Sequence, residues 1–113
     1  MSDDIQIREM PGTWVVRAGG AVLGETRKAL ELRDGDLPPV VYFPRADLAM
    51  AMLDPSPTRS TRPGIGEAAY FSIQAKSGPI KDAGWSYETP HDAVSAIAGH
   101  IAFFANKATV EEI

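Results

Sequence analysis

Few residues in this chain are of a type that does acid–base or nucleophilic chemistry. There are two histidines, His91 and His100, and no cysteine. Imidazole titrates near neutrality and serves as acid or base. His91 follows Thr89-Pro90, in what reads as a helix's first turn, so it is expected to face solvent. His100 stands in an apolar run beside Gly99. It has two readings there, a general acid or base and a hydrogen-bonded structural residue. No second histidine or acid lies at metal-ligand spacing from it, so no metal is expected. Asp34 and Asp36 flank Gly35, but a cation loop needs more oxygen ligands at fixed spacing, so a solvated turn is expected. Ser60, Thr61 and Ser72 lack the Gly-x-Ser-x-Gly frame of a serine nucleophile. Gly64-Ile65-Gly66 looks like part of a phosphate-cradling loop. A strand and not a helix follows it, so a turn is the better reading.

Binding chemistry is better represented. Tyr42, Tyr70, Trp85 and Tyr87 carry polar handles on apolar bodies. Such residues line small-molecule pockets, and they also fill the cores of small β domains. Arg27, Arg45 and Arg62 sit at the ends of elements next to these aromatics. A guanidinium is a rigid fork of donors suited to carboxylates and phosphates. The combination predicts an aromatic-lined cleft between the central hairpin and a loop at 58–66. Tyr70, Trp85 and Tyr87 form its wall, with Tyr42 and Arg45 close by. Arg62 holds an anionic group and His100 orients a polar one. The alternatives are an enzyme using His100 as acid or base, and an interaction module that dimerises through a strand edge.

The elements that position these residues are mostly strands. Tyr70, Ser72 and Gln74 alternate with Phe71, Ile73 and Ala75, the period of a half-buried strand. Lys76-Ser77-Gly78-Pro79 breaks the run, and Ile80 to Tyr87 returns as the second arm of a hairpin. Ile5 to Arg8 and Thr13 to Arg17 also read as strands. Ala18-Gly19-Gly20 is a tight turn before Ala21 to Thr26. Residues 27–32 fit a helical turn or a strand edge equally. Val40 to Phe43 is a short strand buried on both faces. Short helices are expected at 45–53, after Pro44, and at 90–98, after a Thr89 cap. His100 to Phe104 is read as a last core strand. The alternative is one longer helix through Gly99, since Val94, Ile97, Ile101 and Phe104 also fit helical spacing. The polar tail from Ala105 is expected to pair at an edge.

The chain has 113 residues, the size of one domain, 1–113, with room for one modest core. Ten glycines and nine prolines exceed the average share of ~12%, which favours many turns and a mainly β domain over a helical bundle. The net charge of −4 argues against a nucleic-acid partner. No apolar run approaches the ~18 residues of a membrane span, and MSDDIQIREM lacks the order of a signal peptide. No cofactor is expected. A cytoplasmic monomer or homodimer with a small-molecule ligand is the overall expectation.

Four stretches occur in an order that resembles a known family. They are Val41-Tyr42-Phe43-Pro44 with Asp47, Pro63 and Gly66 before Ala68-Ala69-Tyr70, Ala83-Gly84-Trp85-Ser86-Tyr87 before Pro90, and Ile97 to Phe103. Together they resemble the DUF427 family, small bacterial and fungal proteins of unknown function, over residues 5–108. The resemblance implies a compact, strongly bent antiparallel β fold of the Mss4-like, β-tent kind. A nucleotidyltransferase label attached to the family finds no support here. That chemistry needs paired metal-binding carboxylates beside a Gly-Ser turn. Many relatives are similar in a Cys-Pro-x-Lys-Gly stretch, which here reads Arg62-Pro63-Gly64-Ile65-Gly66. Chemistry resting on that thiol or amine is closed to this chain.

Overall fold

A computed structural model describes residues 5–113; the four residues before Ile5, including the acidic pair of the N-terminus, lie outside the described residues. The hairpin read from the Tyr70 alternation is the centre of the molecule. Strand β7 (Gly66–Ala75) pairs with β8 (Gly78–Tyr87) around a turn at Lys76-Ser77. Strand β6 (Leu53–Arg62) adds on one side and β9 (Ile101–Phe103) on the other, giving an antiparallel sheet ordered β6-β7-β8-β9. A second sheet joins β1 (Ile5–Glu9), β4 (Leu30–Asp34) and β5 (Val40–Tyr42) in the order β1-β4-β5. A third joins β2 (Trp14–Ala18), β3 (Ala21–Thr26) and β10 (Thr109–Glu112) in the order β10-β2-β3. The domain is thus mainly β, with only short 3-10 segments between strands. Among the described residues, no helix is long and apolar enough to cross a membrane.

Both faces of the four-stranded sheet are covered, which makes two cores. Phe71, Ile73, Ala83, Ile101 and Phe103 pack with Val16, Leu23, Phe43 and Leu48 on the β2–β3 side. Ala68, Tyr87 and Ala102 pack with Leu32, Tyr42, Ile65, Val94 and Ile97 on the β4–β5 side. Strand alternation explains the division, since successive side chains of 101–103 point to opposite faces. The Val40–Phe43 stretch serves both cores: Tyr42 enters one and Phe43 the other. Phe43 also exchanges two backbone hydrogen bonds of 2.9 Å with Ile101, joining two of the sheets.

Three expectations need correction. No two-turn helix fills 45–53. Two one-turn 3-10 segments, Arg45–Asp47 and Met50–Met52, flank an extended Leu48. Leu48 bridges to Gly24 of β3, and the Ala49 N–H donates to Leu23 O at 2.7 Å. So short a helix is marginal alone, and pairing with β3 outcompetes it. Gly24 permits the approach, because a Cβ there would lie 2.5 Å from Asp47 O. The helix at 90–98 is a 3-10 segment, Asp92–Ile97, kinked at Val94. His91 and not Thr89 precedes it, and no side chain caps it. Val94 and Ile97, three apart, plug the second core. Finally, 58–66 is not a long loop. Residues up to Arg62 belong to β6, and only the turn at 63–65 remains. β6 is an edge strand, where Pro55 and Pro57 are tolerated, and its register shifts between Pro55 and Arg59.

Candidate functional site

The residues singled out in the sequence go to three places. Tyr42 and Tyr87 are core, at 0% and 4% exposure. Burial pushes both hydroxyls up from the ordinary tyrosine range. Tyr42 Oη accepts a hydrogen bond from Trp85 Nε1 at 3.2 Å, and the rings meet edge to face. Arg62 lies at the margin of this core beside the Tyr87 hydroxyl. It donates to Asp34 Oδ2 at 2.6 Å, tying the end of β6 to the end of β4. Asp34 therefore holds a guanidinium, and among the described residues no group of three His, Asp or Glu is gathered for a metal. Ile65 is fully buried in the same core.

Arg45 and His100 meet at the turn before β9. Arg45 Nε donates to Gly99 O at 2.7 Å, and Nη2 reaches Ser86 Oγ and the Glu88 carboxylate. Its guanidinium carbon lies 5.2 Å from the centre of the Phe71 ring. The His100 ring is half-exposed, with Nδ1 3.2 Å from Ala98 O. It lines an open hollow of about 650 Å³ together with Glu9, Met10, Arg27, Lys28 and Leu30. No phenylalanine, tyrosine or tryptophan lines that hollow, and its arginine and lysine are exposed.

Trp85 and Tyr70 go to a third place, and there the structure adds residues that sequence reasoning missed. Trp85 packs against Phe104 with ring centres 4.6 Å apart, and Tyr70 lies beyond Phe104 at 6.1 Å. All three are half-buried. The Trp85–Phe104 pair forms one wall of a groove of about 350 Å³ whose other side is Trp14, Pro38, Pro39 and Val110. The groove lies between β8 and the connection before β5, and not against the 58–66 segment. Phe103 and Phe104 are adjacent at the end of β9, so only one can face inward; that alternation was the available signal for Phe104. For Trp14 there was none, because β10 and the 38–39 turn reach it from far along the chain.

A second hollow adjoins the groove at Phe104, the one residue that lines both. It is smaller, about 310 Å³, and Phe104 lines it with Tyr70, Asp82, Asn106 and Lys107. Asp82 sits where the β7–β8 register shifts, at φ +50°, and is the one non-glycine residue with positive φ among the described residues. Bulges of this kind re-aim a side chain. Ser72 Oγ accepts from the Asp82 N–H at 3.1 Å, and Thr58 Oγ1 donates to Asp82 Oδ2 at 2.8 Å. Asp82 Oδ1 is shielded from solvent and has no partner among the described residues.

A family model described as a domain of unknown function, DUF427, matches residues 6–113. The chain belongs to the DUF427 family. No curated protein matches it. The match covers all the residues that line the groove and the hollow beside it.

Proposed function

We propose that this DUF427 domain binds a small, largely apolar ligand in the groove between Pro38-Pro39 and the Trp85–Phe104 pair. The observation that carries the reading is that pair itself, with ring centres 4.6 Å apart, half-buried, and open on the groove side. Aromatic walls with a few convergent polar groups are the usual make-up of a ligand site. Apolar area covered there contributes ~25 cal/mol per Å² before the costs of association. An anionic group on the ligand would find Lys107 and not Arg62, whose guanidinium is engaged by Asp34. We further propose a β-tent of the Mss4-like kind, supported by three antiparallel sheets, two of them joined by the Phe43–Ile101 bridge, and a cytosolic location. An experimental fold with a closed barrel, or a membrane-bound pool on cell fractionation, would refute these.

Both tryptophans of the chain line the groove, so intrinsic emission reports directly on occupancy. A panel of non-fluorescent metabolites titrated against the protein should yield at least one saturable emission change. That change should vanish in Phe104→Ser, which leaves both tryptophans in place. No response across the panel from a normally folded protein would refute the reading.

A further inference from the structure

Asp82 and Lys107 carry opposite charge, line the same hollow, and form no ion pair with each other or with any other described residue. Lys107 Nζ spends one donor on Lys81 O at 2.6 Å and keeps two. The Asp82 carboxylate has only Oδ2 engaged. The Ser56 and Thr58 hydroxyls beside it, with lesser help from Lys81 and Lys107, hold it below the usual carboxylate range. A buried acceptor without a partner is costly, and so is a non-glycine residue at positive φ. Both costs fall on one residue, in the hollow that adjoins the aromatic groove at Phe104.

Resting on the groove reading above, we infer that the ligand is an aromatic zwitterion. Its ammonium meets Asp82, its carboxylate meets Lys107, and its ring lies on Phe104, the wall that the hollow shares with the groove. Oδ1 is shielded from solvent, so Asp82 has to turn about χ2 for that oxygen to reach the ammonium. Tyr70 and Asn106 also line the hollow, and an amide can accept from an ammonium or donate to a carboxylate. The two unpaired charges then each gain a partner through the ligand, while the aromatic strip supplies the apolar contact.

The test uses three matched probes: L-phenylalanine, phenethylamine without the carboxylate, and 3-phenylpropionate without the ammonium. Tryptophan emission and calorimetry read their binding. L-Phenylalanine should bind about tenfold or more tightly than either truncated probe, the size of one lost charge-assisted contact. Asp82→Asn should weaken L-phenylalanine and phenethylamine and leave 3-phenylpropionate unchanged. Lys107→Gln should do the reverse. Asp82→Gly relieves the positive φ, so it should stay folded and still lose L-phenylalanine. If Asp82 only braces the bulge, its variants will lower the melting temperature and leave affinity intact, which overturns the inference. Equal binding of all three probes, lost in Phe104→Ser, also overturns it and leaves the groove reading standing. So does a silent probe series beside a metabolite that binds. No binding by any probe or metabolite removes both.

Discussion

At the scale of the residue, a carboxylate kept charged inside the protein has to be held, and Glu31 is held twice. It is 4% exposed, and its Oε1 accepts from Arg8 Nε at 2.7 Å and Arg33 Nε at 3.0 Å. Arg8 is its cross-strand partner on β1, and Arg33 lies two residues along β4. The Arg8 hydrogen bond, above all, holds the Glu31 carboxyl below the usual range, against the pull of burial. Both arginines are more than half exposed, so solvent screens their attraction. We expect Glu31→Gln to cost about 1 kcal/mol at pH 7, lowering the melting temperature by about 4 °C. Because the folded carboxyl titrates lower than the unfolded one, this stabilisation is complete above the ordinary carboxylate pKa of ~4.3 and is lost as pH falls through the folded value. Melting curves of the two proteins should therefore converge as the pH is taken below the ordinary carboxylate range. A gap that persists there would mean that shape and not charge is responsible.

At the scale of the element, Gly84 governs how closely β9 lies against β8. A Cβ on it would come 2.9 Å from Ala102 O and 3.1 Å from Phe103 Cδ2. The carbonyl belongs to the ladder and cannot swing aside freely. Gly84→Ala should cost about 1–3 kcal/mol, seen as a lower denaturant midpoint, and should loosen ligand binding because Phe104 follows β9. An unchanged midpoint would show that β9 gives way at no cost. The elements differ in how much of them can be read locally. The β7 alternation, the Gly19-Gly20 turn and the two-faced Val40–Phe43 stretch carry their own period, and each forms as expected. β6 does not. Its polar, proline-bearing sequence reads as loop, and it is a strand only because β7 offers it an edge. Leu48 likewise leaves a helical pattern for a partner on β3. The same limit applies to the site. Trp85 and Tyr70 were visible as aromatics on strands, but Trp14, Phe104, Asp82 and Lys107 converge through contacts between distant segments. The positive φ of Asp82 exists only because β8 bulges opposite Ser72.

At the scale of the whole molecule, two cores share one sheet, and each has its own tryptophan. Trp14 packs against the first cluster and Trp85 against the second. Phe43 and Tyr42, fully buried on opposite sides of one short stretch, couple the two. Losing either side chain's packing would cost a few kcal/mol, a large part of the ~5–15 kcal/mol that holds such a domain together. We therefore expect one cooperative unit. Trp14→Phe and Trp85→Phe each leave a single reporter, and in each variant the emission and circular-dichroism denaturation curves should coincide. An emission curve displaced from the dichroism curve in either variant would mean that its core melts by itself.

Arg45 has a further effect on this architecture. The excursion from Glu88 to Gly99 leaves the sheet and returns to it, and one guanidinium touches both its departure and its arrival. The Gly99 N–H donates to Tyr87 O at the same junction. Slippage of β9 along β8 by one two-residue step would carry Gly99 away while Glu88 stayed behind, breaking the clasp on one side only. The side chain thus acts as an alignment pin for the strand that bears Phe104.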